Sequence, residues 1–289
     1  MSLSPQELAL ASALCSAVAT ILIQRGLRTS NFFAGFWINV VVGTIGLWSA
    51  VALFVPAAEY GWRAVPYFVL SGVVGTAAGR LFRVLAIEKV GASVTASISN
   101  LTPLIATGLA IVLLGEQVTL PILMGTLVIV AGTVLLSMSG RYVGFHPRHL
   151  VHPILSASCF GVVQVIRKIG LVHAGPLFGA AINMTTALGV STTFVAATGN
   201  LDALRCNRRS LLYFVAGGIA ENSGVLLLLV ALGFGDVSVV IPLSGTTPLF
   251  VLLLAYVFPS GLERLNWRLI AGAVLVVIGV FLLKGFTMR

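Results

Sequence analysis

Few side chains in this 289-residue sequence offer chemistry, and most of those interrupt long apolar runs. Glu221 and Asn222 stand side by side well inside one such run. Arg80 stands inside another, about 10 Å from its end at helical rise. Asn39 and Asn183 each fall within a run, as do Gln164, Asn100 and Trp37. A carboxylate, a guanidinium and several amides are equipment for holding a polar solute, or for moving a proton through Glu221. They are poor equipment for making and breaking bonds. Arg80 and Glu221 are placed so that they can meet, as a structural ion pair or as a substrate-facing one; the sequence leaves both open. Asp202 and Asp236 fall between runs, and His146, His149, His152 and His173 fall at run edges. No His, Cys and carboxylate group has metal-ligand spacing, and no Gly-Lys-Ser/Thr loop is present to cradle ATP. No metal or cofactor is expected. Cys15 and Cys159 read as small core residues, and three cysteines make no disulfide framework.

What positions these residues is a membrane. The chain is 58% hydrophobic and 9% charged, with a mean hydropathy of +1.07. A soluble domain carries about 25% charged residues. The net charge of +9 sits in short loops, so it speaks for orientation in a bilayer and not for nucleic acid. Ten runs are long enough to cross as helices: 8–24, 32–55, 65–87, 92–114, 118–138, 149–171, 176–198, 211–232, 237–258 and 266–284. The N-terminus lacks the basic region of a cleaved signal, so the first run is expected to stay as a helix.

The runs form two sets of five. Gly72 to Val112 aligns without a gap on Gly217 to Val257, an offset of 145. The matches include Gly79 with Gly224, Ser99 with Ser244 and Thr102-Pro103-Leu104 with Thr247-Pro248-Leu249. Ser12, Cys15, Gly26, Gly35 and Asn39 match Ser156, Cys159, Gly170, Gly179 and Asn183 at an offset of 144. The division falls at residues 1–145 and 146–289. An odd number of crossings turns the second half upside down, the arrangement of carriers with a midplane site between halves. Lys and Arg favour the side that bears the loops after odd-numbered runs (Arg25, Arg28, Arg83, Lys89, Arg141, Arg148, Arg205, Arg208, Arg209, Arg264 and Arg268). The other side holds Arg63, Arg167, Lys168, Lys284 and Arg289. The first side should be cytoplasmic, although Arg167 and Lys168 oppose it.

Pro103 and Pro248 read as mid-helix kinks in the fourth and ninth runs, with Pro242 a second break in the ninth. A kinked, symmetry-related pair can gate a cavity or only improve packing. Gly125, Gly132, Gly272 and Gly279 make a small-residue face on the fifth and tenth runs, for packing within the chain or in a homodimer. Glu116 and Glu263 precede those runs and read as caps for them.

Gly91-Ala-Ser-Val, Leu101-Thr-Pro-Leu104 and Leu114-Gly-Glu116, with Ser238-Val and Thr247-Pro-Leu249, resemble the drug/metabolite transporter superfamily, in particular its EamA-type ten-helix permeases. The second half departs from the pattern at Phe258-Pro-Ser-Gly-Leu-Glu263. The resemblance implies an all-α membrane protein with helices one to four and six to nine around a central cavity. It also implies transport of small metabolites, often amino acids and among them aromatic ones, usually outward across a bacterial inner membrane. Asn39, Asn183, Glu221, Asn222 and Arg80 are the expected cavity residues, and Pro103 and Pro248 the moving points. One deep acid and one deep base favour a zwitterionic or weakly charged substrate. The rivals are a channel or lipid-flipping subunit and a membrane-embedded lipid-processing enzyme; the latter needs a convergent acid or histidine cluster.

Overall fold

The computed structural model describes residues 3–138, 146–198, 204–257 and 267–286, and among them it contains helices and no strand. The helices are α1 Pro5–Leu27, α2 Phe32–Phe54, α3 Trp62–Val90, α4 (Ala92–Ser99, then Thr102–Leu109 and a wide turn Ala110–Leu114) and α5 Leu120–Ser137. The second set is α6 Val151–Leu171, α7 Pro176–Thr198, α8 Arg208–Phe234, α9 (Val237–Ser244, then Thr247–Val257) and α10 Trp267–Phe286. Nine described segments are long and apolar enough to cross a membrane, and α10 is a shorter apolar helix. The protein is a multi-pass, all-α membrane protein built from two inverted five-helix repeats.

Polar side chains start several of the helices at their loop ends. Ser4 and Glu7 form a reciprocal cap on α1. Asn31 accepts from the Ala34 amide at 2.9 Å on α2, and Asn207 accepts from the Ser210 amide at 2.7 Å on α8. Each satisfies an amide that has no partner within its helix.

The inverted repeat is visible in reciprocal contacts. Ser12 of the first half donates to the Gly224 carbonyl of the second at 2.7 Å. Ser156 of the second half donates to the Gly79 carbonyl of the first at 3.0 Å. The same two glycines let cysteines close in. A β-carbon on Gly224 would stand 3.2 Å from that of Cys15, and one on Gly79 would stand 3.3 Å from that of Cys159. Phe214 fills the space over Gly26 and Gly35, and Phe68 the space over Gly170 and Gly179. Thus α1 packs on α8 as α6 packs on α3. The glycine face of α5 and α10 is used within the chain. A β-carbon on Gly132 would come 2.7 Å from the Gly272 carbonyl, and one on Gly279 would come 2.8 Å from that of Gly125.

Pro103 and Pro248 do not kink continuous helices. The helix ends before each, at Ser99 and Ser244, and a new one begins with the proline in its first turn. A proline lacks the N–H that would reach the carbonyl four residues back. Those carbonyls belong to Ser99 and Ser244. The Thr102 hydroxyl donates to the first at 2.7 Å, and the Thr247 hydroxyl to the second at 3.0 Å. The repeated Thr-Pro therefore removes one hydrogen bond and supplies another in its place, as a broken helix in lipid requires. Pro242 lies within the first half of α9, and the break comes after it at Gly245 and Thr246. The two breaks face one another: a β-carbon on Gly245 would lie 3.3 Å from the Pro103 ring.

Candidate functional site

Between the halves lies a cavity of about 630 Å³. Its inner wall comes from the middles of helices: Gln164 of α6, Glu221 of α8, and the two breaks through Ser99, Asn100, Thr102, Ser244 and Thr247. Gln24, Ser137 and Leu269 carry the lining to the ends of α1, α5 and α10 on one face of the bundle. That is the face with the larger share of Lys and Arg in the sequence.

The opposite face is shut. Leu8, Ala110, Ile122, Leu232, Val237, Val240 and Leu243 belong to one buried apolar cluster there. Two charged side chains hold it. Glu116 accepts from the amides of Val237 at 2.7 Å and Ser238 at 2.9 Å. The carboxylate reaches them because Gly115, at φ +68, ends α4 in a left-handed turn that a side chain would resist. Lys168 donates to the carbonyls of Leu232 at 2.8 Å and Gly235 at 2.9 Å. Glu116 thus caps α9 of the other half and not α5, the helix that its position in the sequence indicates. The Asp236 side chain, at the N-cap of α9, makes no capping bond, and Glu116 takes its place. The expected cap from Glu263 lies outside the described residues.

The structure separates the polar residues that the sequence groups together. Glu221, Gln164 and Asn100 line the cavity. Asn100 also donates to the Thr133 carbonyl and the Ser137 hydroxyl, tying the break in α4 to α5. Asn222 is buried, donating to the Gly218 and Asn39 carbonyls at 2.7 and 3.3 Å, with Gly43 leaving room for its amide. Asn39 and Asn183 are buried too, but in separate places. Asn183 accepts from the Ser71 hydroxyl at 2.9 Å. Trp37 donates to Thr192 at 3.2 Å and lines a lateral apolar groove between α2, α3 and α7, away from the cavity. Arg80 makes no direct ion pair with Glu221. Its guanidinium lies 4.8 Å from the centre of the Phe36 ring, at the inner end of that groove.

Two residues that the sequence alone counts only toward the charge of a membrane face belong to this region. Arg83 lies in α3, is exposed, and lines the cavity. Arg167 is buried in α6 and donates its Nε proton to the Ser71 hydroxyl at 2.9 Å. The relay Arg167 to Ser71 to Asn183 joins three helices. Glu221 lies within electrostatic reach of Arg80 and Arg83, and Arg167 within reach of Arg80. Burial of Arg167 also removes it from the basic residues of the shut face. No periodicity flags either arginine, because apolar runs absorb a charge near their ends without losing their length.

The EamA-like transporter family matches residues 6–138 and again 150–285. The chain belongs to that family. A solved crystal structure, 19% identical over 99% of this chain and 98% of its own, superimposes with a TM-score of 0.81. At that identity the likeness speaks for the fold. Among curated proteins nothing matches. Membership in the EamA-like family makes the protein a small-molecule transporter of a lipid bilayer.

Proposed function

We propose that this EamA-like protein is a secondary carrier that moves small metabolites by alternating access, and that amino acids and their relatives are the first class to test. The observation that carries the reading is the unequal state of the two faces. One cavity reaches from the helix breaks to one face, while Glu116 and Lys168 hold the other shut. A carrier that alternates needs such a state and its inverse, and an inverted repeat supplies both from one design. The charge bias supports a cytoplasmic open face, and the resemblance to EamA-type permeases supports a plasma membrane and export as the direction to test. Glu221 and Arg83 contact the solute in this reading, and Gln164 and Asn100 complete its polar surface. The facing breaks at Pro103 and Pro248 serve as the points of bending.

Counterflow in proteoliposomes tests the reading. Uptake of a labelled solute that saturates and is accelerated by unlabelled solute inside supports a carrier. Flux that rises linearly without saturation supports a channel and removes it. Topology is checked separately. Impermeant labels on cysteines placed at Tyr60 and Arg205 must report opposite faces, and labelling from one common face would remove the inverted arrangement.

A further inference from the structure

We infer that the central site takes a small organic anion, and that Arg83 is the side chain that contacts it. The inference rests on the carrier reading above and adds the sign of the solute's charge. Arg83 lines the central cavity with Glu221. Arg80, one turn before it on the same helix, is within electrostatic reach of both, and buried Arg167 is within reach of Arg80. Among the described residues the acid within reach of Arg80 and Arg83 is Glu221, and it forms no direct ion pair with any of the three arginines. The other described acids lie at helix ends or between helices. Asp202 and Glu263 fall in the connecting segments outside the described residues. Two positive charges, Arg80 and Arg83, thus share one negative charge, with Arg167 a further positive charge within reach of Arg80, in a medium where an uncompensated charge is costly.

The three arginines are held differently. Arg167 is anchored by the Ser71 hydroxyl, whose own proton goes to Asn183, so that its oxygen is left to accept. Arg80 rests on the Phe36 ring. A hydroxyl and a ring stabilise a guanidinium without neutralising it. These two act as fixed positive charges outside the cavity lining. Arg83 is the one of the three that lines the cavity, where it and Glu221 share the surface. In the empty site Glu221 is the internal counter-charge. A solute carboxylate or phosphate takes over that role, while a cation meets a surplus of like charge. The sequence alone indicates one deep acid, one deep base and a zwitterionic or weakly charged solute. The structure adds the buried Arg167 and the cavity-lining Arg83 to Arg80, and this surplus of positive charge narrows a zwitterionic or weakly charged solute to an anion.

Size-matched probes separate charge from shape: L-glutamate, L-glutamine and L-lysine in one set, and benzoate, benzamide and benzylamine in a second. Binding is read as thermal stabilisation of the purified full chain, and transport as counterflow. The expected result is a response to the anionic member of at least one set, at least tenfold stronger than to its neutral and cationic partners. Arg83→Gln should weaken that response about tenfold, and Glu221→Gln should strengthen it, because the competing carboxylate is gone. Stronger responses to neutral or cationic members, no response in either set, or weaker anion binding in Glu221→Gln overturn the inference. None of these touches the carrier reading, which fails only on unsaturable flux. Repeating the assay in vesicles with and without phosphatidylglycerol identifies the source of the anion. If the anionic lipid abolishes the response to the soluble probes, the site belongs to a lipid headgroup and the soluble-solute assignment falls.

Discussion

Helices α3 and α8 occupy equivalent places in the two halves and have different work. Both carry the glycine that receives a serine from the opposite half, Gly79 in α3 and Gly224 in α8. Both carry a phenylalanine that fills a glycine gap, Phe68 and Phe214. There the likeness ends. Residues Gly72–Gly79 of α3 form a wide π turn, whereas α8 is regular throughout. A π turn rotates the rest of its helix relative to a regular one, and such turns gather at functional sites. The part rotated in α3 begins with Arg80 and carries Arg83. At the corresponding places α8 has Val225 and Leu228, while its own Glu221 and Asn222 face Thr76 and Ala77 in the alignment. The packing is duplicated and the charges are not. Exchange between two inverted states asks for equal halves, whereas recognition of an asymmetric solute asks for unequal ones, and the chain divides these demands between backbone contacts and charged side chains.

The largest effect should come from breaking the shared framework where both halves contribute backbone. Gly272→Leu drives a side chain toward the Gly132 carbonyl, already 2.8 Å from a β-carbon there. Relief requires α5 and α10 to separate, and the overpacking is expected to cost about 3 kcal/mol. The variant should lose its cooperative thermal transition. Leu228→Gln, at the place in α8 that corresponds to Arg83, sets an amide against the apolar cluster of the shut face and should cost some stability, but it should leave solute binding unchanged. If Leu228→Gln weakens binding as much as Arg83→Gln, the charges are duplicated in function and the contrast between the halves is gone.

Next in size is the shut face. Glu116→Gln keeps an acceptor but loses the charge that strengthens two amide contacts, a change of about 1.5–3 kcal/mol for a charged hydrogen bond. If the carrier alternates as proposed and the contact is lost in the inverse state, that energy moves the population toward opening on that face by tenfold or more. Ala110, fully buried beneath the closure, reports it. In a background without Cys15, Cys159 and Cys206, Ala110→Cys should label faster with an impermeant maleimide when Glu116→Gln is added. An unchanged rate would leave Glu116 as a cap with no part in closure.

Smaller again is the reciprocal pair. Ser12→Ala and Ser156→Ala each remove one buried hydroxyl-to-carbonyl bond, at a cost of about 1–2 kcal/mol. The two losses should be equal within error in a reversible denaturation of the purified chain. A twofold inequality would mean that the framework is less symmetric than the two distances, 2.7 and 3.0 Å, imply.

Much of this architecture is legible in the sequence alone. The offset of 144–145 residues is carried by residues whose contacts depend on small size, such as Gly26, Gly79, Gly170 and Gly224, so duplication of packing shows directly as duplication of sequence. Charges are another matter. Arg83 and Arg167 fall near the ends of their runs, where a charge reads as belonging to the membrane face and not to a site. Glu116 has the form of a local cap, yet the amides that it binds lie 121 and 122 residues away. Asn39 and Asn183 are matched by the repeat, but matched residues in inverted halves occupy different places, each held by its own neighbours. Local pattern locates what packs; what a charge touches is decided by the fold.

The finest test concerns the helix breaks. The repeat preserves Thr-Pro and not proline alone, and the hydrogen bonds give the reason: each threonine donates to the carbonyl that the next residue, as a proline, cannot reach. Thr102→Val and Thr247→Val keep the shape and remove only the donor. Each should destabilise the chain by about 1 kcal/mol, the net worth of one such bond. Replacing the proline as well separates the two roles. In Thr102→Val/Pro103→Ala the new alanine N–H can bond to the Ser99 carbonyl, so stability should return while the break heals into a continuous helix. If bending at the break serves transport, the double variant will be stable and slow, with binding intact and turnover reduced. A double variant that is stable and transports at the normal rate would reduce the Thr-Pro pair to a packing device and leave the motion to be sought elsewhere, first in the π turn of α3.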